Sequence, residues 1–280
     1  MDIDKTTLDD LSGFRHGDEI AVADKLDRCT TTHGSEQLRI NFSTALKTQE
    51  EVIAVQQTLK LILACQAQWP RTISNGTVMV VEKYFDSNIS VIPSNPSPFQ
   101  AYMYKLLHSP DYALVTYSAK HCFDFIKGFQ QLLQLFDGKE QPAPLKQLLA
   151  NIRLAISKPQ FDIVTRHANA ESLPRALLLH FAHFVRYHYK HHMHDLVVWY
   201  AQLDAWYGMA MAVQQYGLVF PEFVQATGPV VKAQGLYHLL VEEPVAYDVL
   251  LDRQTNFLFL TGANMAGKST FIKSVGVAVF

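Results

Sequence analysis

The sequence predicts a mainly α protein: a multi-helix bundle with one long heptad-like helix, followed by the truncated beginning of an α/β phosphate-loop domain. Three observations carry this expectation. Apolar residues recur at three- and four-residue steps through the first two-thirds of the chain. A sustained apolar seam runs from Leu173 to Tyr216. From Pro221 onward glycines, prolines and β-branched residues become denser, and a short apolar run enters a glycine loop. With 280 residues the chain can hold one large domain or two modest ones. The change of texture near Tyr216–Phe223 places the boundary, giving a helical domain over 1–220 and the start of a second domain over 221–280.

Val52, Val55, Leu59, Ile62 and Leu63 place a helix between Gln37 and Gln68. Trp69-Pro70 closes it, because the residue before a proline is pushed out of the helical region. Asn75-Gly76 marks a turn. The valines of Thr77–Asn88 favour a strand, but Val78, Val81 and Phe85 have helical spacing, and helix is preferred. Pro93, Pro96 and Pro98 make a loop by denying both helix and ladder hydrogen bonds. Ser109-Pro110 starts a helix that runs to about Phe136 and ends at Asp137-Gly138; another lies between Pro144 and Ser157. The seam itself is Leu178, Ala182, Val185, Tyr189, His192, Leu196, Trp199, Leu203, Trp206, Ala210 and Val213. Unbroken, it would span roughly 50 Å.

A formal charge of −2 excludes a surface built wholly to grip phosphate backbones, so any nucleic-acid contact is local or lies elsewhere. The apolar runs are too short to span a membrane. Met1-Asp-Ile-Asp-Lys-Thr is polar and acidic, unlike a signal peptide. Cys29, Cys65 and Cys122 lack CxxC spacing and read as buried thiols of a reducing compartment. The expected location is the cytoplasm.

Gly262-Ala-Asn-Met-Ala-Gly-Lys-Ser269 fits G-x-x-x-x-G-K-[ST] at every required position. The apolar run Phe257-Leu-Phe-Leu260 predicts a buried strand before it, and Ser269–Phe280 a helix after it. Glycines let the backbone curl so that its N–H groups converge on a phosphate, and the helix adds its positive N-terminal end. ATP with Mg²⁺ is the expected ligand. Lys268 would bridge the β- and γ-phosphates and Ser269 would hold Mg²⁺ through its hydroxyl. No Asp or Glu follows Gly262; Asp248 and Asp252 precede the loop. No catalytic residue is therefore assigned, and the chain is expected to be an incomplete ATPase, inactive alone.

His180, His183, His188, His191, His192 and His194 crowd one segment. His188, His192 and Asp195 have a spacing that could hold zinc on one helix face, but the Glu of H-E-x-x-H is missing, and a solvated or packed face is preferred.

Thr261-Gly-Ala-Asn-Met-Ala-Gly-Lys-Ser-Thr-Phe-Ile-Lys273 closely resembles the nucleotide-binding signature of the MutS family of DNA mismatch repair proteins, where T-G-P-N-M-(A/G)-G-K-S-T is usual. Leu26-Asp-Arg28 with Thr31, Gly34 and Leu38 resembles the start of that family's helical core. Leu203-Asp-Ala205 and Tyr216 to Phe223 resemble its connection to the ATPase, and Gly235-Leu-Tyr-His238 its G-R-H-P stretch. The resemblance implies a helical lever feeding an ABC-type ATPase that homodimerises, with DNA as partner and no membrane. It also implies that Gly262, Asn264, Met265, Ala266, Gly267, Lys268, Ser269 and Thr270 hold the phosphates and that Phe223 stacks on adenine. Ala263 replaces the usual proline, and Ala246-Tyr247 stand where the family has Pro-Asn, which puts that nucleotide contact in doubt. The mismatch-reading domain has no counterpart, so branched DNA in recombination is an alternative substrate. Another is a helical interaction module with a vestigial nucleotide site.

Overall fold

The computed structural model describes residues 5–14, 20–264 and 266–279. Helices dominate it. Two short helices, α1 (Lys5–Asp10) and α2 (Val22–Leu26), lead into α3 (Thr32–Ser43) and α4 (Gln49–Cys65). Then come α5 (Asn75–Asp86), α6 (Pro98–Leu107), α7 (Ser109–Leu135), α8 (Ala143–Ile156) and α9 (Asp162–Arg166). The body closes with α10 (Arg175–His188) and α11 (Lys190–Tyr216). After it stand an antiparallel pair, β1 (Val231–Leu236) and β2 (Tyr247–Leu251), and a last helix, α12 (Lys268–Val279).

Local chemistry sets the helix starts. The Thr48 hydroxyl accepts from the Glu51 amide while Glu51 reaches back to the Thr48 amide, so the apolar pattern expected over Gln37–Gln68 is divided between α3 and α4. Ser97 and Gln100 make the same reciprocal pair around Pro98, so a helix starts at the end of the proline segment expected to be loop. Ser74 caps α5, which buries Val78, Val81 and Tyr84 on one face and so keeps a valine-rich segment helical. The core lies between α7 and its neighbours, where Phe125, Phe129 and Tyr200 meet edge to face and Phe123 meets Phe181 in the same way.

The long helix is not continuous. Its seam divides at Tyr189, whose φ of −129° and ψ of 11° lie outside the helical region. The buried Tyr189 ring packs against Phe161 at 5.0 Å, and its hydroxyl donates to the Ala155 carbonyl. Anchoring that ring in the core fixes the bend. Helix α11 alone is about 40 Å long. Leu178, Ala182, Val185, Leu196, Leu203 and Ala210 are still buried on either side, whereas His192 is exposed. The bend also separates His188 from His192 and Asp195, ending their single-helix spacing, and no metal-ligating cluster occurs among the described residues.

A second departure concerns Phe257–Leu260. The expected buried strand is absent, and Phe257 and Phe259 are each 77% exposed. A strand needs a ladder partner, and β1 and β2 pair with each other.

Helix α11 packs most extensively on α3. At this junction the buried Asp204 carboxylate accepts from the Thr30 and Thr31 amides at 2.9 and 2.8 Å and from their hydroxyls at 2.8 and 2.7 Å. Burial pushes the carboxyl up from its ordinary range, and the four donors oppose that shift. Gly34 is required here: a Cβ would stand 2.7 Å from Asp204 Cγ. Gly208, one turn further, admits Cys29, whose amide nitrogen would lie 2.7 Å from an added Cβ. Burial, then Asp204 and Asp27, raise the Cys29 thiol, so it stays protonated. Cys65 and Cys122 are buried and free.

Replacing Asp204 with Ala is expected to cost about 3 kcal/mol, because the buried Thr31 amide and hydroxyl and the part-buried Thr30 amide lose their acceptor. Urea unfolding that shows a lowered midpoint with an unchanged slope checks it; an unshifted midpoint contradicts it. Gly34→Ala is expected to destabilise in the same assay, since the carboxylate must move to admit the methyl group.

Candidate nucleotide site

The site is built on the N-terminus of α12. Gly262 and Gly267 take φ of +153° and +82°, which side-chain-bearing residues rarely adopt, and between them the chain curls back on itself. The Ala266 amide donates to the Ala263 carbonyl at 3.2 Å, and the Phe271 amide donates to Gly267 at 2.9 Å to begin the helix. Lys268 reaches back across the loop, its ammonium donating to the Gly262 and Ala263 carbonyls at 2.7 and 2.6 Å. Ser269 is exposed, Thr270 is half-buried, and the first turn of α12 carries no acid. The amides of that turn have no partners within the helix, so an anion placed there would meet N–H donors, the helix end and one ammonium together. Asn264 and Ala266 are exposed beside them; Met265 lies outside the described residues.

The other expected residues are distributed differently. Phe223 sits in the extended segment after α11 and is 48% exposed. That segment is tethered to α4, where Gln56 donates to the Pro221 carbonyl at 3.2 Å. No hydrogen bond or ring contact joins Phe223 to the loop among the described residues. The carboxylates before the loop are engaged locally. Asp248 accepts from the Gly235 amide at 2.8 Å, across the irregular register of the hairpin, and Asp252 accepts from Gln254 and Thr255 at 2.8 and 2.7 Å.

What the sequence reading missed is how α12 is held. The Tyr247 ring packs on Phe271 at 4.7 Å, and its hydroxyl donates to the Ser274 hydroxyl. On the opposite side Lys273 donates to the Ser12 hydroxyl at 3.1 Å, and Gly276 faces Leu11 so closely that an added Cβ would require the Leu11 side chain to shift. A further tie runs to the helical body: Tyr237 donates to the Tyr216 carbonyl at 3.0 Å, and the Tyr216 hydroxyl accepts from Arg28. The aromatic positions in Gly235-Leu-Tyr-His238 and Val245-Ala-Tyr247 were the only signals, and neither reveals a partner.

His238 is buried, and its Nδ1 accepts from the Leu240 amide at 3.3 Å. Burial, and then the Lys273 ammonium, hold its pKa below the ordinary imidazole value of 6.5. The unfolded chain therefore binds the proton more readily. The stabilising contribution is complete above the ordinary value and is lost as pH falls through the lowered one. Amide exchange around His238 and Lys273, corrected for its intrinsic pH dependence, is expected to accelerate between about pH 7.5 and pH 5. His238→Gln should flatten that dependence.

No family model matches the chain. Part of it is similar to proteins named DNA mismatch repair protein MutS. The protein from Thermosipho melanesiensis is 36% identical over 81 residues, which is 28% of this chain and 10% of the relative. That from Pseudothermotoga lettingae is 35% identical over 91 residues, 30% of this chain and 10% of the relative. The match spans about a tenth of the length of these curated relatives. No helix among the described residues is long and apolar enough to cross a membrane. Over the matched stretch, the chain is related to the MutS proteins of DNA mismatch repair.

Proposed function

We propose that this chain binds ATP with Mg²⁺ at Gly262–Thr270 and belongs to a MutS-like protein in which nucleotide state is coupled to DNA binding. The observation that carries the reading is the reach of Lys268 across a glycine-curled loop at the start of α12. The partial similarity to MutS proteins points the same way. In this reading 1–220 is the lever and 221–280 begins the ATPase. Lys268 exchanges its two carbonyl partners for β- and γ-phosphate oxygens, and the exposed Ser269 hydroxyl takes a place in the Mg²⁺ shell. The metal would screen the phosphate charge. Phe223, being half exposed, is available to stack on a base.

Coupling would pass along α11, with the nucleotide favouring one arrangement of the lever over another. A second nucleotide-bearing copy completes the site in a homodimer, and DNA is gripped by the assembled protein in the cytoplasm. No carboxylate follows Gly262 in this chain, so no acidic Mg²⁺ ligand is assigned after the loop. The exposure of Phe257, Leu258 and Phe259 favours a second reading, a helical interaction module with a vestigial site.

Titration with Mg²⁺ and a fluorescent ATP analogue separates the two. Lys268→Ala is expected to weaken binding at least tenfold, about the effect of losing a charge-assisted contact to phosphate. Equal binding by parent and variant would remove the phosphate-loop assignment and leave the interaction module.

A further inference from the structure

Tyr247 stands where the resembled family has a nucleotide-contacting Asn, yet its side chain is turned toward the protein. Its hydroxyl donates to Ser274 Oγ and lies 3.4 Å from the Phe271 carbonyl. Ser274 is buried, only 2% exposed, and its own hydroxyl donates to the Thr270 carbonyl at 2.5 Å. A hydroxyl chain thus runs from β2 through Ser274 to the carbonyl of Thr270, the residue after Ser269. The ring, tilted 35° against Phe271, packs on the same turn. The hairpin bearing Tyr247 is itself tied to the end of α11 through Tyr237.

We propose that Tyr247 is a positioning residue: through Ser274 it fixes the first turn of α12 and hence the orientation of the Ser269 hydroxyl toward Mg²⁺. It touches no ligand. The proposal rests on the nucleotide reading of the loop, and it makes the Mg²⁺-dependent part of binding the sensitive quantity. A general loss of stability would weaken binding with and without metal alike. Loss of the strap weakens the metal-assisted part most, because the Ser269 rotamer acts only through Mg²⁺, whereas Lys268 is held by loop carbonyls that precede the first turn.

The test compares the full chain with Tyr247→Phe, which keeps the ring, and with Ser274→Ala and the double variant. ATP affinity is measured with Mg²⁺ and with EDTA. Tyr247→Phe is expected to lose about fivefold with Mg²⁺, the worth of one hydrogen bond, and distinctly less in EDTA. The double variant should lose no more than the larger single loss, since both changes cut one chain. Equal Mg²⁺-dependent affinity in parent and Tyr247→Phe, or equal losses with metal and with EDTA, would overturn the proposal. Amide exchange of residues 270–275 without ligand is measured on the same proteins. Faster exchange in Tyr247→Phe supports the strap, and unchanged exchange refutes it even if Lys268→Ala shows that the loop binds no nucleotide.

Discussion

A carboxylate buried in the middle of a helix must be surrounded by donors, and at Asp204 that requirement organises the N-terminal third of the protein. Thr30 and Thr31 can offer both amides and both hydroxyls only if the chain arrives extended and then turns into α3. The Thr31 hydroxyl also accepts from the Gly34 amide, so one residue caps the helix and pins it to α11. Residues 174 apart in sequence are thereby held face to face. Gly34 and Gly208 allow the backbones to come that close. The interaction is polar, but it decides which apolar face of α3 meets the core.

From that junction order spreads in two directions. Toward the body, α11 continues into the aromatic cluster around Phe125, Phe129 and Tyr200, and Tyr200 also donates to the Ile73 carbonyl at 3.2 Å. Toward the hairpin, α11 ends at Gly217 in the left-handed conformation, and Tyr216 gathers Arg28 and Tyr237 around the last turn. Both aromatic and cationic contacts converge there, with Lys25 and Arg28 near the Tyr216 ring at 5.8 and 5.4 Å. The end of α11, which matches α7 in length, is therefore the place where helical body and hairpin are joined by specific contacts.

Helix positions in the body were legible because capping residues and apolar spacing are local signals. Ser109-Pro110 and Asp137-Gly138 bracket α7 within a residue or two. The bend at Tyr189 was hidden, since a seam keeps its period across a bend when both halves pack on one core. The stretches around Leu26–Leu38 and Leu203–Ala205 stood out through resemblance, but their mutual contact depends on donors that only the fold brings together. At the candidate site, the glycine–lysine spacing exposed the loop because backbone curvature is written in glycines. Tyr247 and Ser274 were invisible because a tyrosine in a strand looks the same whether its hydroxyl meets water or a buried serine.

The exposed run Phe257-Leu-Phe259 has a practical side. Two phenylalanines at 77% exposure alternate with leucines along a segment without a ladder of its own. Such a segment is a template for intermolecular β-pairing, and neither lysine nor proline interrupts it. Colloidal behaviour should therefore be governed by this short stretch rather than by the well-packed bundle. Solubility would be limited at high protein concentration, and most sharply in salt that screens the small net charge. A single lysine at Phe257 or Phe259 would act as a gatekeeper, leaving the helical body and the loop chemistry untouched.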